Sequence, residues 1–517
     1  SVNGETYKAK LETYQYYNIK GDMLTFAGTY SYDKDYDHTY SLYQLNSYRD
    51  GETIRQHTYR DAENHGYNID AQLGYERYLS GKTNDILIFH YKFSEKALRA
   101  DNFFYQLDRD STALDNISWL PSNRQLLAAY LDDPNSYRSN EHDYTHNFEA
   151  IFRYSWIYKK GHTVILYVNM PLAWQLNNMN YWRVNHYDIN RKRLFFNPNT
   201  ILSLNILTPD KMEFAILSAK LSHEMPMMES LAPYTDNSDP HLIVKGNPSL
   251  VNLRTLNASA SYMRQVNKHQ QHFSTRLDFT NLQGAVANAL FFDTATGIQT
   301  IEPHNMYGNW NLKLTIGGGR AIALHDRLSL DNNLEATYLH SVDMNSTSGN
   351  APRRSPVNNF DLKDALHLND DVSSSLKIGL LMSGTLDRVS SEIHSFDRYQ
   401  VGNYAFGCNA TWNLPLAFQL STDFRVSCNR GYSDHSMNKD EYVWNARLTK
   451  TLLKGNLQLM LDGFDILGQL SNHHYVLNSQ GRIETYSNAI PRYMMLHVAY
   501  RFHKNPAKNN APKQLAE

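Results

Sequence analysis

Only two cysteines occur in the 517 residues, Cys408 and Cys428. Both lie on the apolar parity of neighbouring alternating segments. A hairpin turning at Leu414-Pro415-Leu416 sets Cys408 opposite a residue near Thr422. Cys428 is then about six residues out of register, roughly 20 Å, too far for a disulfide. Both read as small apolar side chains, and cysteine usage does not identify the redox compartment. No run of about 18 apolar residues is present, which excludes a transmembrane helix. It does not exclude a transmembrane β-strand, which needs only about 10 residues with one apolar face. No sign of charge dominates: 50 Lys and Arg oppose 52 Asp and Glu, for a net charge of −2. A basic footprint for nucleic acid is therefore missing. The start, Ser1-Val2-Asn3-Gly4, has neither the basic nor the apolar region of a signal peptide. Either a signal has been removed or the chain begins partway through a larger protein. No Ser/His/Asp constellation has a recognisable spacing, so neither an enzyme nor a cofactor is expected.

What is abundant is aromatic residues, 12% of the chain with 36 tyrosines, and alternation. Side chains alternate faces along a strand, so apolar residues at every second position mark a half-apolar strand. Leu24, Phe26, Gly28, Tyr30 and Tyr32 share one parity. Leu87, Phe89, Tyr91 and Phe93 share another. The clearest case is Phe148, Ala150, Phe152, Tyr154, Trp156 and Tyr158, opposed by Asn147, Glu149, Arg153 and Ser155. Its aromatics gather beside Lys159-Lys160-Gly161, as a girdle at a membrane interface does. The pattern continues through Leu277 and Phe279, then Leu312 and Leu314, to the last segment. There Met494, Leu496, Val498, Tyr500 and Phe502 form a wholly apolar face that would serve as the barrel-assembly strand. The opposite parity carries Arg276, Asp278, Lys313, Arg327, Asp331 and Glu335, which a barrel would turn toward its lumen.

The connections alternate between short and long. Short ones fall near Asn18, Ser80, Lys160, Pro209, Asn267, Arg320, Asp370, Pro415 and Lys454. Long ones include 34–65, 97–143, 175–190, 224–249 and 282–304. Outer-membrane barrels have short periplasmic turns and longer extracellular loops, whereas a soluble sandwich has no reason to keep that order. The expected fold is thus all-β, a large antiparallel transmembrane β-barrel over residues 1–502 with a polar tail over 503–517. It has about 19 strands of an expected 22, since single-chain barrels have even numbers and the largest ligand transporters have 22. The odd count marks the chain as truncated at its N-terminus.

Gly246-Asn247-Pro248-Ser249-Leu250 resembles an element of TonB-dependent outer-membrane receptors that follows a long loop and opens a mid-barrel strand. Here it follows Leu231-Ala232-Pro233-Tyr234 and Ser238-Asp239-Pro240, as in receptors of the Bacteroidetes type. Asp462-Gly463-Phe464-Asp465-Ile466-Leu467 is similar to the family's element before the last loop. Gly481-Arg482-Ile483-Glu484-Thr485-Tyr486, Pro491-Arg492-Tyr493 and Tyr500-Arg501-Phe502 resemble its C-terminus. The resemblance is strongest over 221–502, and the tail beyond Phe502 departs from it. It implies a receptor in the outer membrane of a Gram-negative bacterium that imports a scarce nutrient through a plugged barrel. It also implies TonB coupling through a missing N-terminal plug, contact with outer-membrane lipid and the barrel-assembly machinery, and a small-molecule, peptide or glycan ligand. A plug-less channel or adhesin barrel and a soluble all-β binding protein are the competing readings.

Candidate sites are sparse. Asp33-x-Asp35-x-Asp37 resembles the start of a calcium loop, but His38 and Gln44 stand where glycine and glutamate are needed, so a solvated loop is expected. Gly317-Gly318-Gly319-Arg320 lacks the lysine of a phosphate loop and reads as a strand end at the periplasmic rim. Trp119, Tyr181 and Trp182 offer rings for stacking on a ligand, against the plainer role of loop packing. His473 and His474 sit in the last long loop, where a metal chelate would pass. Adjacent histidines in a strand point apart, which favours surface residues over a metal site.

Overall fold

The computed structural model describes residues 2–16, 22–46, 53–79, 85–109, 124–239, 241–322, 327–345, 353–391, 399–432, 435, 438–470, 473–478, 481–486 and 492–502. Twenty-two of its 24 strands form a single sheet. Two short strands, Thr235–Asp239 and Leu242–Lys245, belong to a loop, and His186–Phe196 with Asn199–Leu207 make one wall strand interrupted at Asn197-Pro198. The chain therefore crosses the wall 19 times among the described residues, each wall strand antiparallel to the one before it. The remaining two strands, His473–Asn478 and Gly481–Tyr486, form a separate hairpin.

The alternation read from the sequence is the inside and outside of this wall. Leu277 pairs with Leu314 and Leu314 with Ala336, while Asp278 pairs with Lys313 and Lys313 with Thr337. One face is apolar across neighbouring strands and the next is polar, because register partners share a face. The apolar face is bare: Leu217 is 55% exposed, Trp156 60% and Leu496 68%. In water such a surface is unfavourable, and in lipid it is the required one. The last strand, Tyr493–Tyr500, presents Met494, Leu496, Val498 and Tyr500 on this face, with Phe502 packed edge-on against Tyr500. The tail over 503–517 lies outside the described residues.

Among the described residues short turns fall where expected, at Lys160-Gly161, between Leu207 and Lys211, and at Pro415–Ala417 and Leu453–Gly455; those expected near Asn18 and Ser80 lie outside the described residues. The turn after Leu414 holds three residues, Pro415–Ala417, with Leu416 and Ala417 at positive φ. It shifts the register by two, so Cys408 faces Phe424 rather than Thr422, and Cys428 faces Tyr404. Both cysteines are free. The segment Gly317-Gly318-Gly319 lies near the end of Gln299–Ala321, paired on both sides. A Cβ on Gly319 would meet the Asp331 carboxylate and the His272 ring, two exposed side chains that would have to move aside to admit it.

The long connections differ from expectation. Much of 34–65 and 97–143 is strand: Met23–Asn46 and Thr53–Tyr78 are 24 and 26 residues long. Crossing the membrane takes about 9–11 residues, so these strands rise well above it. Above the bilayer both faces are wet, the hydrophobic period vanishes and the sequence reads as loop, yet the backbone still pairs to satisfy its own polar groups. Asp33, Asp35 and Asp37 thus sit in a ladder, opposite Gly66, Asn64 and Ala62, and not in a loop.

The face assignment predicts that Leu314→Arg, placed on the outer face, destabilises the inserted barrel by about 2–4 kcal/mol near the midplane. Thr315→Arg, on the lumen parity, should leave assembly intact. Heat-modifiable migration in gels reads both, and equal behaviour of the two variants would reverse the assignment of faces.

Candidate functional site at the extracellular mouth

The site that the fold builds is the mouth of the lumen. Residues 225–250 do not stand away from the wall but fold across it. Met228, Leu231, Ala232 and Leu250 pack with Met179 and Tyr181 of the strand His162–Trp182 into a small core. Tyr137, Tyr187, Ile189 and Tyr234 lie against it. The odd residues of His162–Trp182 share the lumen parity, so this core lies on the inner side of the wall.

The span of the segment is informative. Gln56 Nε2 donates to the Ser238 carbonyl at 3.3 Å. Leu242 to Val244 add in parallel to Gln299–Ile301. Gln56 and Gln299 lie on wall strands eight steps apart around the sheet. Eight steps are about 38 Å of arc at the usual strand spacing, whereas Ser238 to Leu242 spans about 13 Å of extended chain. The upper extensions therefore converge over the lumen, and the segment closes the gap as a cap. The hairpin that meets it, formed by Gln271–Phe292 and Gln299–Ala321, bends where Gly284 and Gly308, at φ 75° and 100°, interrupt the register.

Side chains supply what a ladder cannot. The Arg183 guanidinium, only 5% exposed, pairs with Asp236 at 3.0 Å, donates to Asn135 Oδ1 and Tyr181 Oη, and lies over the Tyr234 ring. Asn135 Oδ1 also accepts the Asn237 amide at 3.0 Å. A buried ion pair is sound only with its hydrogen bonds filled, and this one is surrounded by them. Burial in the same core pushes the Glu229 carboxyl above the usual carboxylate range.

The Gly-Asn-Pro element is the other anchor. Gly246 packs so closely on the Ala232 carbonyl that a Cβ would collide with it. Asn247 is buried: its amide nitrogen donates to the Pro303 carbonyl at 2.8 Å, its backbone N–H to Ser230 O at 2.6 Å, and its Oδ1 accepts the Ser249 amide. Asn305 ties the same point to the bent hairpin, accepting from Val251 N at 2.7 Å and donating to Val251 O and Gly284 O. The element thus clamps cap to wall. A parallel clamp serves the last strand: Asp462 is buried between Arg447 and His497, at 2.5 and 3.0 Å. Asp465 accepts the amides of Gln469 and Leu470.

The residues singled out from sequence are placed as follows. Tyr181 is fully buried in the cap core, so it has no face open to a ligand. Trp182 lies on the outer parity, stacked on His186 at 4.9 Å between ring centroids. Trp119 lies outside the described residues. His473 and His474 open the separate hairpin, opposite Tyr486 and Thr485. Of the lumen-parity charges, Lys313 pairs with Glu335 at 2.8 Å and Arg276 with Asp278 at 2.7 Å; Asp331 lies 3.5 Å from the His272 ring, and Arg327, at a strand end, reaches Asp370 at 2.8 Å. They make this parity hydrophilic. No group of acidic, histidine or cysteine residues suited to a metal occurs among the described residues.

Sequence comparison matches residues 175–500 to the outer membrane protein beta-barrel family. No curated protein matches the chain. Among solved structures, the FrpB iron transporter from Neisseria meningitidis (F3-3 variant) is similar with a TM-score of 0.38 and 9% identity, over 97% of this chain and 81% of that one. BauA, the ferric preacinetobactin receptor from Acinetobacter baumannii, gives 0.37 and 7%, over 96% and 78%. The copper transporter OprC gives 0.36 and 9%, over 90% and 74%.

If Asn247 clamps the cap, Asn247→Ala removes its side-chain bonds to the Pro303 carbonyl and to the Ser249 amide and hydroxyl, a loss of about 1–3 kcal/mol. Limited proteolysis should then cut within 225–250 faster than in the parent while heat-modifiable migration stays unchanged. Parent-like protection of the cap would show that the clamp lies elsewhere.

Proposed function

The chain belongs to the outer membrane protein β-barrel family, and from that premise we propose that it forms the wall and mouth of a TonB-dependent importer of a scarce nutrient. The observation that carries the reading is the combination of a polar, charge-paired lining with an ordered cap across the mouth. A wall of 19 or more strands encloses a lumen wider than its own side chains fill; barrels of about 16–18 strands already hold an aqueous channel, and those of about 22 are plugged. An open pore of that width would leak, so the reading includes a plug domain and a TonB box on a segment outside residues 1–517, and about three further strands to complete 22. The outer membrane holds no nucleotide supply of its own, so moving a plug draws on work delivered from the inner membrane. In this reading the cap and the neighbouring extensions capture a small molecule, peptide or glycan, and the lining charges contact the plug or the passing ligand. Residues 1–502 form the barrel, 503–517 a polar tail, and the exposed apolar strand Tyr493–Tyr500 is what the assembly machinery would engage.

Planar-bilayer conductance of the full-length protein, purified from the outer membrane, tests the reading. The expected result is a silent protein that opens to a large, reversible conductance when urea unfolds the plug. Steady conductance from the first insertion would make it a plug-less channel and would sink the importer reading.

A further inference from the structure

At the mouth the wall has a slot one strand wide. His186–Phe196 continues downward into Asn199–Leu207, and the neighbour of that strand, Lys211–Glu224, ends by register level with Phe195. Pro226 follows two residues later. Without an N–H it cannot carry the ladder on, and the chain leaves for the cap. The next wall strand, Leu253–Val266, begins opposite Glu224 and is led in by residues 248–251. Above Glu224, residues 186–194 and 248–251 thus stand two strand spacings apart, about 10 Å. Carrying both registers upward sets Arg191 level with Ser249. There Arg191 Nη2 reaches over and donates to the Leu250 carbonyl at 3.1 Å.

A cavity of about 650 Å³ lies in the slot. On one side every residue from His186 to Arg191 lines it, and on the other Pro233, Pro248 and Leu250 do. Contact with both parities of a strand places the cavity at the strand's edge, where backbone groups point, and not over one face. Among the described residues His186–Phe196 is paired on one side only, with His162–Trp182. Its other edge keeps N–H and C=O groups for a further strand. Arg191 and Arg193 share the lumen parity beside this edge, and neither pairs with a carboxylate among the described residues. Arg191 Nη1 is shut from solvent with no hydrogen-bond partner. Basic residues on an edge often serve to keep other strands away. Such a deterrent stands in water, whereas Arg191 is drawn against the cap with one nitrogen unsatisfied, a cost that an arriving acceptor removes.

We propose that the slot binds an acidic peptide in extended form, added as a strand to the free edge of His186–Phe196. The peptide backbone takes up the ladder where Lys211–Glu224 leaves it. Pro233 and Pro248 on the far side have no N–H and do not compete for it. Side chains of an added strand share the face of their register partners. Carboxylates at positions i and i+2 of the peptide, about 7 Å apart, therefore meet Arg191 and Arg193. Charge-assisted, forked bonds join them and satisfy the buried nitrogen. The assignment names the ligand of the proposed importer; passage through the barrel rests on that reading, capture at the mouth does not.

Fluorescence anisotropy of the full-length protein in detergent micelles tests the assignment with three labelled octapeptides. The first is (Thr-Glu)4. The second, (Thr-Thr-Glu-Glu)2, has the same composition and charge but no i, i+2 pair of carboxylates. The third is (Thr-Glu)4 with every backbone N–H methylated. The first should bind about tenfold more tightly than either of the others. Arg191→Gln and Arg193→Gln should each remove that advantage, and Lys192→Gln, on the outward parity, should keep it. Unchanged heat-modifiable migration certifies each variant as folded. Equal binding of the three peptides, or a preference that survives both arginine substitutions, overturns the proposal. Displacement of (Thr-Glu)4 by equimolar citrate would make the slot a plain anion site and overturn it as well. A barrel that conducts steadily yet shows the expected preference would lose the importer reading and keep the site.

Discussion

The constraint on which everything else rests is that a backbone inside lipid has no water to bond to. Each N–H and C=O must find a partner within the protein, and the antiparallel ladder provides it between neighbouring crossings. The order of the sheet follows: wall strands pair with their sequence neighbours from Val2–Tyr16 to Tyr493–Tyr500. Two faces follow as well, because side chains alternate. One meets lipid and carries Leu277, Leu314 and Leu496; the other meets water and carries Asp278, Lys313 and Glu335.

Above the membrane the constraint relaxes and the structure changes character. The ladders continue where two strands run together, but 225–250 has no strand on either side for most of its length. Its backbone is satisfied by short local turns and one strand pairing, and side chains fasten it to the wall. Asn247, Asn305, Asn135 and Arg183 each take several partners from segments far apart in the chain. Fully satisfied polar networks of this kind rigidify what they bind, which is why a segment of little regular structure can hold a fixed position across the mouth.

The resemblance motifs take on a physical meaning in this setting. Gly246-Asn247-Pro248 and Asp462-Gly463-Phe464-Asp465 mark the points where a loop is fastened to the wall. Glycine stands where a Cβ would strike the Ala232 carbonyl, and amide or carboxylate groups stand where loop N–H groups end. Both elements were legible as landmarks, but not as clamps. The cap core was not legible at all. Tyr181 reads from sequence as a loop aromatic open to ligand, yet Leu231 and Leu250, about 50 to 70 positions away, bury it completely.

The sequence by itself determined the transmembrane β-class, the parity of most crossings, the alternation of short turns with longer extensions among the described residues, and the approximate number of crossings. All of these are local. A period of two residues and a turn of two or three can be read in any short window. Only the tertiary structure decided that the extensions remain paired strands, that they converge beneath a cap, and that Arg191 reaches over a slot in the wall to Leu250. Above the bilayer no hydrophobic period distinguishes one face from the other. Contacts between residues far apart in the chain, which no window contains, settle the arrangement there.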